Sequence, residues 1–123
     1  MRELKYSKKY KHFKGKEYFV LGKSTPLGNV ELFEKAKEII CINSKHTEQE
    51  YYVVVIKSLE DELYYHSSEI NTEELVVYMD DEFYAYVRPY DIFMSEVDKE
   101  KYPDIEQKYR FEEMCECDEN ELV

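Results

Sequence analysis

Apolar positions in this chain recur mostly with the two-residue period of half-buried strands, and a helical period is confined to one short stretch. Tyr18-Phe19-Val20-Leu21, within residues 17–22, predicts a first strand, preceded over residues 1–11 by a basic, tyrosine-spaced lead-in expected to be loosely ordered. Thr25-Pro26-Leu27-Gly28 predicts a break over 23–28. Asn29 then stands where a helix N-cap belongs. Glu31 and Glu34 occupy the first turns, and Leu32, Ala36, Ile39 and Ile40 keep helical spacing. That spacing predicts a short helix over about 30–38, with a strand over 39–43 after it.

Two later stretches share one grammar of polar turn, apolar strand, acidic turn and aromatic strand. The first runs from Thr47-Glu48-Gln49-Glu50 through 51–56 to Asp61-Glu62-Leu63-Tyr64-Tyr65. The second runs from Thr72-Glu73-Glu74 through 75–79 to Asp81-Glu82-Phe83-Tyr84-Ala85-Tyr86. Each predicts a β-hairpin, though any two hairpins share this pattern and duplication cannot be inferred from it. Alternation within them predicts that Val53, Val55, Leu75, Val77, Phe83 and Val87 are buried. Arg88-Pro89 stops the second hairpin, since proline cannot donate to a ladder, and Pro89 suits the start of a helical turn over 90–94. Short strands are expected at 95–97 and 107–112, separated by a loop over 99–105. The expected fold is mainly β: a small, strongly bent antiparallel sheet or barrel carrying one short helix. A single domain over 1–112 precedes an acidic tail over 113–123.

Composition sharpens this picture in three places. At 123 residues the chain fits one domain that can bury a core without disulfides or metal. Three cysteines make no disulfide framework, and Cys115-x-Cys117 has the wrong spacing for half a zinc site. With a charged N-terminus and no apolar run of membrane length, the reading is a cytoplasmic protein. Charge is uneven: the net is −11, yet residues 1–23 carry eight Lys and Arg against Glu3 and Glu17, leaving −17 for the remainder. The acidic bulk disfavours nonspecific binding to nucleic acid, while the basic end leaves room for one local anion site.

Certain motifs resemble a known family. Tyr10-x-His12-Phe13-Lys14-Gly15-x-x-Tyr18-x-Val20-Leu21-Gly22 is similar to the opening of the small bacterial and phage family called domain of unknown function 1653. His66-Ser67-Ser68-Glu69, Thr72 to Tyr78 and Tyr86-Val87-Arg88-Pro89 resemble its middle. Phe93, Ser95-Glu96-Val97-Asp98, Lys101-Tyr102-Pro103 and Gln107-Lys108-Tyr109-Arg110-Phe111-Glu112 resemble its end. The resemblance spans roughly 10–23 and 66–112 and implies an SH3-like β-barrel with no assigned reaction. Here about forty residues, over 24–65, stand where members pass almost directly from the first strand to the His-Ser segment. They are expected to elaborate the barrel with the helix and an extra hairpin.

Candidate chemistry is sparse. His12, His46 and His66 are scattered without a metal-ligand pattern, and the carboxylates fall in solvated runs. The three glycines form no phosphate-cradling loop. No catalytic residue, metal or cofactor is expected. The sharpest cluster is His12, Lys14 and Arg88 with the aromatics Phe13, Tyr18, Tyr86 and Tyr90. If the first strand lies near the strand ending at Arg88, these residues compose a site for an anionic, nucleotide-like ligand. The competing reading makes Arg88 the structural partner of a glutamate and Phe13 a core residue. The expectation is a non-enzymatic binding module for an anionic small molecule or a protein. The alternative is a phage counter-defence protein that sequesters a nucleotide signal or blocks a host effector by acidic mimicry of nucleic acid. The tyrosine stock and the edges of the extra hairpin further predict a homo-oligomer, most simply a dimer.

Overall fold

A computed structural model describes residues 2–35, 39–49 and 51–114; residues 115–123 of the expected tail and residues 36–38 of the expected helix lie outside the described residues. The strands are β1 (Lys8–His12), β2 (Glu17–Leu27), β3 (Ile39–His46), β4 (Tyr52–Ser58), β5 (Tyr64–Ser67), β6 (Leu75–Met79), β7 (Ala85–Pro89) and β8 (Phe111–Glu113). Two short helices, α1 (Asn29–Lys35) and α2 (Tyr90–Phe93), complete the described elements. Strand order is β5-β4-β3-β7-β6-β2-β1-β8, and an added β2–β5 pairing closes the first six into a barrel. The protein is therefore a small SH3-like β-barrel with two further strands.

Both expected hairpins form, as β4–β5 and β6–β7. The barrel is not wholly antiparallel, because β2 pairs parallel with β5 and β3 parallel with β7. Parallel neighbours need a long crossover, which residues 28–63 supply for β2–β5 and residues 47–84 for β3–β7. The segment over 24–65 does more than decorate the barrel, since β3 and β4 are two of its six staves.

Four local expectations are corrected. Residues 8–12 are a strand, because Tyr10 is fully buried, with its ring edge-on to Phe93 at 5.7 Å, while Lys9 and Lys11 point to solvent. The break expected over 23–28 is absent, and β2 continues through Pro26. There β2 passes from its ladder with β6, ending at Ser24, to its parallel ladder with β5, and a proline is tolerated where it need not donate. Phe83 is 80% exposed, whereas Val53, Val55, Leu75, Val77 and Val87 are buried. The Asp80 carboxylate accepts the Glu82 and Tyr84 backbone N–H groups and closes a tight turn, leaving Phe83 at its tip in left-handed conformation, φ 68°. Of the two short strands expected at 95–97 and 107–112, the first contributes a single bridge, Glu96 to Tyr109, and the second becomes β8.

The core has two compartments, one on each face of β6. Leu75 and Val77 join Val53, Val55 and Val87, with Leu21, Ile42 and Tyr64 packed around them, so every stave lines the barrel interior. Val76 and Tyr78 face the other way and pack with Tyr10, Val20, Phe93 and Phe111 beneath β1, β8 and α2. Covering β6 on both faces explains its unbroken apolar run. Gly22 permits closure at the seam: the ladder shifts register beside it, and a Cβ there would meet the Tyr64 ring at 2.8 Å. At the same seam the buried Ser24 hydroxyl donates to His66 Nδ1 at 2.6 Å. His66 Nε2 in turn donates to the Asn71 and Glu73 carbonyls, each at 3.1 Å. Every polar atom of this buried pair is thus satisfied, as burial demands. No helix among the described residues is long and apolar enough to cross a membrane.

Candidate anion-binding site

The β1–β2 hairpin turns at Phe13-Lys14-Gly15-Lys16, where Gly15 takes φ 104° and its N–H donates to the His12 carbonyl. This turn projects Phe13 and Lys14 over the end of the outer core. Register places His12 opposite Phe111 on β8, and the Phe13 N–H donates to the Arg110 carbonyl at 2.9 Å. Arg88 arrives from β7, opposite Val76 on β6. The loop over 98–107 is pinned by the Gln107 side-chain amide donating to the Lys11 carbonyl at 2.9 Å, and it brings up Lys101 and Tyr102.

These segments enclose an open cavity of about 540 Å³. Lys14, Lys16, Arg88, Lys101 and Arg110 line it, with Asp98 as the lone lining carboxylate and His12, Phe13, Tyr18 and Tyr102 supplying ring faces. Phe13 and Tyr102 lie 5.0 Å apart, and Lys14 Nζ sits 5.8 and 5.7 Å from their centroids. The Arg88 side chain is only 12% exposed and lies 5.2 Å from the Phe111 ring centroid, with Glu48 at 3.9 Å, beyond hydrogen-bond reach. Among the described residues, Arg88 Nε and Nη1 and Arg110 Nε are buried without a hydrogen-bond partner. Burial pushes the neighbouring Tyr78 hydroxyl up to about 12 against the opposing pull of Arg88, so it meets Arg88 as a neutral hydrogen-bond partner and offers no counter-charge.

Of the six residues singled out in the sequence, His12, Lys14, Tyr18 and Arg88 line this cavity. Tyr86 and Tyr90 do not. Tyr86 stands beside Tyr18 with centroids 6.0 Å apart, but its hydroxyl is drawn away to Asp80 at 2.8 Å. Tyr90 begins α2, packs on the outer core and carries Lys23 Nζ 5.0 Å over its ring. Lys16, Asp98, Lys101, Tyr102 and Arg110 escape a sequence reading of the site, since neither period nor spacing ties them to Arg88.

His12 reports the local potential. Burial, then Arg88, Arg110 and Lys14, lower its pKa from 6.5 to about 4, and its Nδ1 accepts the Lys14 N–H at 3.1 Å. His46 and His66 are also held below their ordinary value, chiefly by burial. The unfolded chain therefore takes up protons first as pH falls. Stability is complete above the ordinary histidine value of 6.5 and declines below it, with the His12 contribution lost progressively towards about 4. Melting temperature is expected to fall steadily across this window, less steeply in His12→Gln; a flat profile there contradicts the burial of these rings.

Residues 65–113 match the model of a family described as a protein of unknown function, DUF1653, the family that the sequence motifs resemble. No curated protein and no solved structure matches the chain. The matched segment contributes Arg88, Asp98, Lys101, Tyr102 and Arg110 to the cavity; β1, β2 and their turn contribute the rest.

Proposed function

From a chain whose residues 65–113 match the DUF1653 family, we propose a non-enzymatic binding module that holds a phosphate-bearing, nucleotide-like ligand in this cavity. One observation carries the reading: two arginines distant in sequence, Arg88 on β7 and Arg110 just before β8, present buried guanidinium nitrogens without partners at one cavity. An unsatisfied buried donor costs about 1–3 kcal/mol, more when charged, and a phosphate oxygen removes that cost while pairing with the guanidinium. Phe13 and Tyr102 offer stacking surface beside the cations, which suits a ligand with a planar base. In a protein of net charge −11, five cations gathered around one opening also focus an attractive field on incoming anions.

Binding without turnover fits the same geometry. His12 is neutral, has a depressed pKa and spends Nδ1 on a backbone N–H, so it is poorly placed as a general base. The test is calorimetric titration with inorganic phosphate, pyrophosphate, nucleoside mono- and triphosphates and cyclic dinucleotides, paired with thermal melts. A ligand held by the native state raises the melting temperature with its concentration. The expected order is nucleotide over pyrophosphate over phosphate, with affinity falling as salt rises. Silence from every phosphate compound at millimolar concentration overturns the proposal.

A further inference from the structure

Helix α1 is built the wrong way round for a monomer. Its inner positions hold it to the barrel: the Ser67 hydroxyl donates to the Asn29 side chain at 2.9 Å, Leu32 lines the groove beside it, and Lys35 pairs with Asp61 at 2.9 Å. Those residues recur at i, i+3 and i+6, one helical face. Val30 and Phe33, also three apart, point away and remain 76% and 74% exposed, and no residue of the helix is fully buried. Beside the helix runs an apolar groove of about 420 Å³, lined by Leu32, Tyr52, Val54 and Ile70 among others. Tyr52, Val54 and Ile70 are themselves 64%, 54% and 74% exposed.

We propose that this face is a homodimer interface, in which Val30 and Phe33 of each copy enter the groove of the other across a two-fold axis. An isologous contact requires ridge and groove on the same patch, and Leu32 belongs to both the helix and the groove. The area is sufficient: at roughly 150–200 Å² for a large apolar residue, the five exposures leave on the order of 500–700 Å² per copy. Complete burial in two copies covers on the order of 1,000–1,400 Å² before any polar rim is counted, which reaches the range of specific interfaces. Two chains of net charge −11 repel each other; the groove lining carries a single charged residue, Glu69, while the exposed Glu31 and Glu34 flank the ridge and would form the rim of the contact. The patch shares no lining residue with the anion cavity, so this inference stands independently of the ligand.

Sedimentation velocity on the full chain tests it. At high micromolar concentration the expected species is about twice the 15.0 kDa chain, and it strengthens with added salt as mutual repulsion is screened. Phe33→Asp and Val54→Lys alter exposed side chains, so each is expected to keep the wild-type circular dichroism and, at dilutions where the wild type is also monomeric, its melting temperature. Each also weakens dimerisation by roughly 30-fold or more, the loss typical of a central interface residue. A wild-type monomer at that concentration overturns the proposal and leaves the face to a different protein. A dimer that survives both substitutions overturns it as well, since the copies then meet elsewhere.

Discussion

Arg88→Ala is expected to weaken pyrophosphate or nucleotide binding by about 30- to 1,000-fold, through loss of roughly 2–4 kcal/mol of charge-assisted hydrogen bonding. Within the protein Arg88 has a weak set of structural partners. Glu48 is 3.9 Å away, the Phe111 ring takes it in a cation–π contact, the neutral Tyr78 hydroxyl meets it, and Nε and Nη1 have no hydrogen-bond partner among the described residues. Its removal therefore spares most of the fold, and the melting temperature of the ligand-free protein is expected to change by only a few degrees. Arg88→Lys keeps the charge and loses the planar fork, so it is expected to fall between the wild type and the alanine variant. Titration calorimetry alongside thermal melts separates this account from the structural one. If Arg88→Ala melts far lower yet binds normally where it remains folded, Arg88 is a prop and the cavity is not an anion site.

Phe111→Ala is expected to cost about 3–5 kcal/mol of stability, a large share of the total available to a domain of this size. Phe111 is fully buried, stacks on Phe93 with centroids 4.1 Å apart and planes 9° from parallel, and meets the rings of Tyr78, Tyr18 and His12 at 5.5, 5.9 and 4.9 Å. Removing it opens a hole at the centre of the outer core and takes away the ring on which Arg88 rests. The expected readout is a melting temperature lower by roughly 10–20 °C, with ligand binding weakened even where the protein is folded. Phe111→Leu refills much of the volume and is expected to cost far less. A Phe111→Ala protein that melts within a few degrees of wild type refutes the stacked outer core. Phe111 thus links fold and cavity: removal of Arg88 is expected to leave the scaffold intact, and removal of Phe111 is not.

The elements that announced themselves in the sequence are those whose burial is local and periodic. The hairpins β4–β5 and β6–β7, the turn after Arg88-Pro89 and the short helix α1 all arise from alternation, helical spacing and turn residues within a few positions, although the Asn29 side chain expected to cap α1 bonds Ser67 and Glu69 instead. The lining of the cationic cavity was half legible for the same reason. His12, Lys14 and Tyr18 share one hairpin and Arg88 marks a strand end, so charge and aromatic density pointed to them. Tyr86 and Tyr90 stand outside the cavity because neighbours in sequence differ in their partners: Asp80 holds the first and α2 carries the second.

Tertiary structure alone decided the pairings between distant segments, whose favourable terms appear once both partners are in place. Residues 8–12 form a strand because Tyr10 finds Phe93. Pro26 sits inside a strand because β2 changes partners there, from β6 to β5. Phe83 is expelled because the Asp80 carboxylate shapes the turn around it. Arg110 and Tyr102 reach Arg88 because β8 returns alongside β1, about a hundred residues along the chain, through Phe111 opposite His12. By itself the sequence determined the strand-rich character, the two hairpins and the uneven charge, since periodicity and composition express which side chains leave water. Barrel closure and convergence of the cationic site depended on the three-dimensional meeting of segments that no local pattern encodes.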